Sequence, residues 1–296
     1  MSMSNNIGYY QYREQHKPKN SGSAIWAGLI AQGAVATTLS SMIGKPIITN
    51  MHKVSDSFSA QEKSQVKNAI YEMLEKTKLK EKGVSVVEIP KSAITPQNFT
   101  EKLMSKTNPI CQIMEGNNAA FFNKDMKGFR RFINNKEYLI KKNTVWLPEG
   151  KLLPCGFHEL GHAMNYNFSK IGKFLQNSRV SGMILASAIG LYSIFTTSTP
   201  KHGNKDLTTG EKTKNFIREN AGKLSFLAFA PILIEEGMAT LKGQKWANKL
   251  LDKNLAKQVF KGNKIAYLSY LGTAIATGVA TWAGVKIKDH LNKKSA

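Results

Sequence analysis

Lys151-Leu152-Leu153-Pro154-Cys155-Gly156-Phe157-His158-Glu159-Leu160-Gly161-His162-Ala163-Met164-Asn165-Tyr166-Asn167-Phe168-Ser169-Lys170 is the stretch around which the chain is organised. Residues four apart on an α-helix share a face, with about 5–6 Å between their Cβ atoms. The imidazoles of His158 and His162 can therefore reach one metal ion. Glu159 lies one step round the helix, beside a water on that ion rather than on the ion itself. This is the content of an H-E-x-x-H motif: two ligands and a general base. Leu160, Gly161 and Ala163 are uncharged and Met164 is apolar, so the metal side of the helix can be buried. Gly161 costs about 1 kcal/mol relative to alanine in a helix interior, which suggests the close approach of another backbone or a ligand. The bland reading, two solvated histidines beside a surface glutamate, is the less favoured one.

The remainder of the composition narrows the class. A chain of 296 residues holds one large domain or two small ones. The apolar fraction of 42% and a cysteine inventory of Cys111 and Cys155 exclude a disordered chain and a disulfide framework. The formal charge of +22 is almost all lysine, since the arginines are Arg13, Arg130, Arg131, Arg179 and Arg218. Lysine without arginine forks argues against specific nucleic-acid recognition. It suits an anionic surface such as a lipid leaflet, or simply a lysine-rich proteome.

In chain order, residues 1–22 read as a polar, basic tail. Residues 23–44 continue an uncharged stretch that is long enough as a helix to cross a bilayer core. Its Ala, Gly, Ser and Thr content matches the interfaces of packed membrane helices. Residues 45–179 form the soluble body. Val66, Ala69, Ile70, Met73 and Leu74 fall at helical spacing within 60–79. Val84–Ile89, Ala119–Phe122 and Thr144–Leu147 read as strands, residues 98–105 as a short helix, and Asn134-Asn135 as the turn of a hairpin. An exposed edge of this small sheet can take an extended peptide by strand addition. Residues 180–199 form a second hydrophobic helix and 200–223 a charged loop. Residues 224–241 form an apolar helix kinked at Pro231. Residues 242–264 are a basic amphipathic helix with a stripe of Trp246, Leu250, Leu251, Leu255, Val259 and Phe260. It either lies on a membrane surface or packs on the protein's own core. Residues 265–287 form a fourth hydrophobic helix and 288–296 a lysine-bearing tail.

A catalytic zinc takes three protein ligands and keeps a position for water. The motif supplies two. Glu235 and Glu236, adjacent acids directly after an apolar run, are costly there unless used. His158-Glu159-Leu160-Gly161-His162, followed much later by Glu236-Gly237-Met238-Ala239, resembles the gluzincin metallopeptidases. The interleaved hydrophobic spans are similar to the membrane-bound heat-shock-protease and CAAX-protease kind. The resemblance implies a zincin-like core and one Zn²⁺ held by His158, His162 and Glu236, with Glu235 as the alternative ligand. It implies Glu159 as catalytic base. Many gluzincins carry an aspartate four residues after the ligand glutamate, to orient a histidine. Here that position is Thr240, whose hydroxyl can make the same kind of bond. Cys155, one turn before His158, is either a thiolate near the metal or a plain buried cysteine.

These readings converge on a mainly α protein with a small β-sheet, an α+β fold: a zincin-like core combined with about four hydrophobic, transmembrane helices. The expected activity is that of a membrane-embedded zinc endopeptidase acting on a peptide or protein substrate. Residues 180–199 would cross away from the metal helix and 221–234 back, returning Glu236 to the side of His158. The lysine bias puts that face in the cytoplasm of a bacterial inner membrane. The alternatives are a non-enzymatic protein binding anionic lipid, and a soluble metallopeptidase with its apolar helices buried.

Overall fold

The computed structural model describes residues 21–90, 113, 116, 118–125, 130–133, 136–150, 152–201 and 206–294. The protein is mainly helical. The helices are α1 (Gly22–Asp56), α2 (Ala60–Lys76), α3 (Cys155–Phe168), α4 (Lys170–Phe195), α5 (Thr209–Glu219), α6 (Ala221–Leu227), α7 (Ala230–Leu250) and α8 (Lys253–Lys294). Among the described residues, five short strands separate α2 from α3: β1 (Ser85–Ile89), β2 (Ala120–Phe122), β3 (Arg130–Ile133), β4 (Lys136–Leu139) and β5 (Thr144–Pro148). The expected helix at 98–105 lies outside the described residues.

The chain divides into two compact units. The first comprises residues 21–42, 180–230 and 273–294; the second comprises 43–179 and 231–272. In the second unit the sheet order is β1-β5-β2, with β1 parallel and β2 antiparallel to the central β5. All five residues of β5 are buried, as a strand covered on both faces requires. The hairpin expected around Asn134-Asn135 is present as antiparallel β3 and β4. Helix α2 opens with a full capping box between Ser59 and Glu62. Its stripe of Val66, Ala69, Ile70, Met73 and Leu74 is buried with Phe157 and Leu160 of α3.

Among the described residues, three segments are long and apolar enough to cross a membrane: Gly22–Asp56, Lys170–Phe195 and Ala221–Leu250. The fourth expected span, 265–287, falls inside α8, which does not reach that hydropathy among the described residues. Three other expectations shift, each for a local reason. The charged loop 200–223 contains α5, because Thr208 and Glu211 build a capping box at its start. The apolar helix 224–241 breaks at Ala228-Phe229, and Pro231 sits in the first turn of α7, where its missing N–H costs nothing. The amphipathic helix 242–264 is interrupted after Leu250. There the Asp252 carboxylate accepts the backbone N–H groups of Asn254 and Leu255 and starts α8. Most of its stripe faces inward: Leu255 and Val259 are core, with Trp246, Leu250 and Leu251 packed against it, while Phe260 stays exposed.

In the first unit the helices approach through glycine. A Cβ on Gly28 would stand 2.9 Å from the Gly284 carbonyl oxygen, and one on Gly222 would stand 2.7 Å from that of Gly278. This is the small-residue packing used by membrane helices. The outward surfaces stay apolar, with Trp26, Ile30, Ile184 and Trp282 each more than half exposed.

In the second unit the decisive approach is between α3 and α7. A Cβ on Gly161 would lie 2.2 Å from the Ala239 carbonyl oxygen, and one on Gly243 would lie 2.4 Å from that of Phe157. Backbone, not a flexible side chain, blocks the space. Gly161→Ala is therefore expected to cost about 1–3 kcal/mol or more by overpacking. Gly210→Ala, where nothing lies within 4 Å, should stay within about 0.5 kcal/mol. Denaturant unfolding of the two variants checks this, and equal effects would mean that α3 and α7 do not meet there.

Candidate metal centre

The site lies within the second unit and grows from the facing registers of α3 and α7. Phe157 and Gly161, four apart, meet Gly243 and Ala239, four apart. That contact sets His158 and His162 opposite Glu236 and Thr240, the next four-residue pairs round each helix. Residues 155–163 are all buried, and Glu235 and Glu236 have no exposed surface. Charged side chains in such a place must be paired or hold a metal.

Three atoms converge. His158 Nε2 lies 3.0 Å from Glu236 Oε2, His162 Nε2 lies 3.0 Å from His158 Nε2, and His162 Nε2 lies 3.3 Å from Glu236 Oε2. Metal–ligand bonds of 2.0–2.1 Å in tetrahedral zinc sites place neighbouring ligands about 3.3 Å apart. The three atoms thus form a slightly contracted face of such a tetrahedron. His158, Glu159 and His162, and likewise His162, Glu235 and Glu236, are buried groups that could hold a metal ion.

The remaining ring nitrogens are also engaged. His158 Nδ1 is 3.1 Å from Thr240 Oγ1. His162 Nδ1 is 2.9 Å from Glu235 Oε1 and 2.8 Å from its Oε2. With each Nε2 turned to a cation, each Nδ1–H donates to these oxygens and fixes ring and tautomer. Glu235 thus sits behind a histidine, while Glu236 reaches between the two. A helix turns about 100° per residue, so neighbouring carboxylates take different stations. Burial opposes a proton on His162, but Glu235 and Glu236 hold its imidazole well above the ordinary histidine range when no cation is present.

Residues with no role in the sequence reading complete the shell. Asn165 Nδ2 donates to Glu235 Oε1 at 3.0 Å, and Gln176 Nε2 donates to the same oxygen at 2.8 Å and to the His162 carbonyl at 2.7 Å. Arg179 spans both acids: Nη1 donates to Glu235 Oε2 at 3.1 Å and Nη2 to Glu236 Oε1. Its guanidinium also stacks 5.2 Å from the Tyr270 ring centre. The available signal was spacing, since Gln176 and Arg179 are three apart on α4 and share a face with each other.

Glu159 is 7% exposed, and its Oε2 accepts the backbone N–H of Phe121 at 2.8 Å. Phe121 is the middle residue of the edge strand β2, so the carboxylate is steadied by the outward-facing backbone of that edge. Burial, then the Glu159 charge, pushes the Cys155 thiol up to about 12, and its side chain packs in the core.

The two carboxylates are separable by experiment. Glu236→Ala is expected to abolish stoichiometric metal binding. Glu235→Gln should retain the metal with affinity lowered about 10–100-fold. Metal titration of the detergent-purified variants checks this, and the reverse order would exchange the two roles. Comparison of the chain with family models, with curated proteins and with solved structures finds no match.

Proposed function

We propose that this protein is a membrane-embedded zinc-dependent endopeptidase of the gluzincin kind, with His158, His162 and Glu236 as metal ligands and Glu159 as general base. The observation that carries the proposal is the convergence of three buried ligand atoms at 3.0–3.3 Å, with an acid on the same helix turn that is not among those three ligands. Charge supports a dication. With His158 and His162 neutral, as metal ligands are, Glu159, Glu235 and Glu236 oppose the Arg179 guanidinium and leave a formal −2 among these side chains. One Zn²⁺ removes that excess.

When bound, zinc polarises the scissile carbonyl and brings the pKa of a water to about 7. The chain does the rest. Neutral His158 and His162 present Nε2, their tautomers set by Thr240 and Glu235. Arg179 holds Glu236 Oε1 and leaves Oε2 for the metal. Glu159 accepts the water's proton and hands it to the departing amine. The β2 edge, whose Phe121 N–H already reaches the base, is the place for an extended substrate to lie by strand addition. Three segments of spanning length support membrane embedding. A cytoplasmic catalytic face in a bacterial inner membrane is the orientation that the lysine distribution favours.

Glu159→Gln keeps the shape and removes the proton acceptor. It should retain one zinc per chain and lower cleavage of an unfolded protein substrate by about 10²–10⁴-fold. Metal analysis beside a peptide-cleavage assay reads both quantities. Undiminished cleavage in the variant would end the proposal.

A further inference from the structure

The first unit carries a groove that the metal chemistry does not use. It lies between α6 and α8 and has a volume of about 610 Å³. Its floor is the contact of Gly222 with Gly278, where each would-be Cβ meets the other's carbonyl oxygen at 2.7–2.8 Å. Its walls are Phe226, Leu227, Ile275, Val279 and Trp282. Leu227 and Trp282 are more than half exposed, an apolar trough open along its length.

One end of the trough is polar. A recess of about 140 Å³ adjoins it, sharing Glu219, Gly222 and Trp282 and reaching Ser198, Arg218, Lys286 and Asp289. Arg218 is buried and spent internally. It donates to the carbonyls of Ser193 and Thr196, to Ser198 Oγ at 3.3 Å and to Asp289 Oδ1 at 2.5 Å. Lys288 is buried beside it, bonded to the Thr196 carbonyl. Lys223 and Lys286, by contrast, are exposed at the mouth and make no ion pair among the described residues. Arg218, Lys223, Lys286 and Lys288 outweigh Glu219 and Asp289, so this end is cationic.

Length and polarity together define the occupant. From Ile275 to Lys286 α8 rises about 16 Å, close to one leaflet, half of a bilayer core of about 30 Å. A ligand with an anionic head at Lys223 and Lys286 and an apolar tail along Phe226 and Ile275 matches both ends. We propose that this groove is a binding site for one anionic phospholipid, its phosphate between Lys223 and Lys286 and an acyl chain over Gly222 and Gly278. The site rests on the membrane embedding proposed above and is independent of the zinc reading.

Tryptophan quenching tests it on the full chain in phosphatidylcholine vesicles. A minor fraction of phosphatidylglycerol with brominated acyl chains is added, and brominated phosphatidylcholine serves as the zwitterionic arm. The Trp282 signal is the difference between wild type and Trp282→Phe. Brominated phosphatidylglycerol should quench it at a roughly thirtyfold lower mole fraction than brominated phosphatidylcholine, the size expected of two lysines facing an anionic headgroup. Lys223→Gln with Lys286→Gln should erase that preference without changing the fold, as circular dichroism would show. Equal quenching by the two lipids, or a preference that survives the double substitution, overturns the site. Trp26, 67% exposed on α1, separates the two failures. If Trp282→Phe protein is still quenched, the chain is in the bilayer and only the lipid site has failed. If no brominated lipid quenches any tryptophan, membrane embedding has failed and the site with it.

Discussion

Three carboxylates buried within reach of two imidazoles, with one guanidinium to oppose them, are the constraint that the second unit is built to satisfy. Removing an ionised carboxylate from water is expensive unless charge and hydrogen bonds replace the lost hydration. Glu235 has contacts from His162, Asn165, Gln176 and Arg179. Glu236 has them from both histidines and Arg179. Glu159 has the Phe121 N–H. Only a backbone contact as close as Gly161 on Ala239 lets two adjacent residues of α7 serve two histidines of α3. A larger residue at 161 would push the acids out of range. The glycine thus belongs to the electrostatics as much as to the packing.

Arg179 is the member of this group with most consequence for chemistry. A carboxylate free at both oxygens can chelate a metal or swing away from it. With Oε1 of Glu236 held by Arg179, only Oε2 remains to meet a metal ion, and a zinc held this way would keep an open position, as a catalytic zinc site requires. The same guanidinium turns Glu235 toward His162 Nδ1. One cation therefore sets the direction of two anions, and each anion sets one imidazole. This order of support, side chain on side chain, fixes a site to the tolerance that catalysis demands.

Much of this was legible in the sequence where periodicity carried the information. The stripe Val66 to Leu74, the three strands, the H-E-x-x-H spacing and three of the four apolar stretches all follow from patterns with a period of two or 3.6. Contacts between elements left no such trace. Gln176 and Arg179 fell in the soluble body with no role, because nothing in their own neighbourhood names an acid some 56 positions later. The stripe at 246–259 was legible as a stripe, but which surface covers it is a tertiary matter, and the protein's own core does. The capping boxes at Ser59 and Thr208 follow an S/T-x-x-E pattern that went unread among the surrounding charges. The second of them turns a charged loop into α5.

The two units differ in where their polar chemistry lies, while both turn apolar side chains outward. The second buries its polar chemistry: His158, Glu159, His162, Asn165, Glu235 and Glu236 are all closed off, so each must find a partner inside. The first leaves Trp26, Ile30, Ile184 and Trp282 outside. Its buried polar side chains are spent largely on backbone carbonyls, as Arg218 is on those of Ser193 and Thr196 and Ser225 on that of Ala186. In water, so much exposed apolar surface is a standing invitation to aggregate. In a bilayer it costs nothing, and glycine-floored helix contacts such as Gly28 on Gly284 supply the dispersion packing that the hydrophobic effect no longer provides there. The apolar exterior is therefore an argument for lipid that needs neither the motif nor the metal. It stands on exposed side chains of both units, since Ile171, Phe174 and Leu241 of the second are as open as Trp26 and Ile30 of the first.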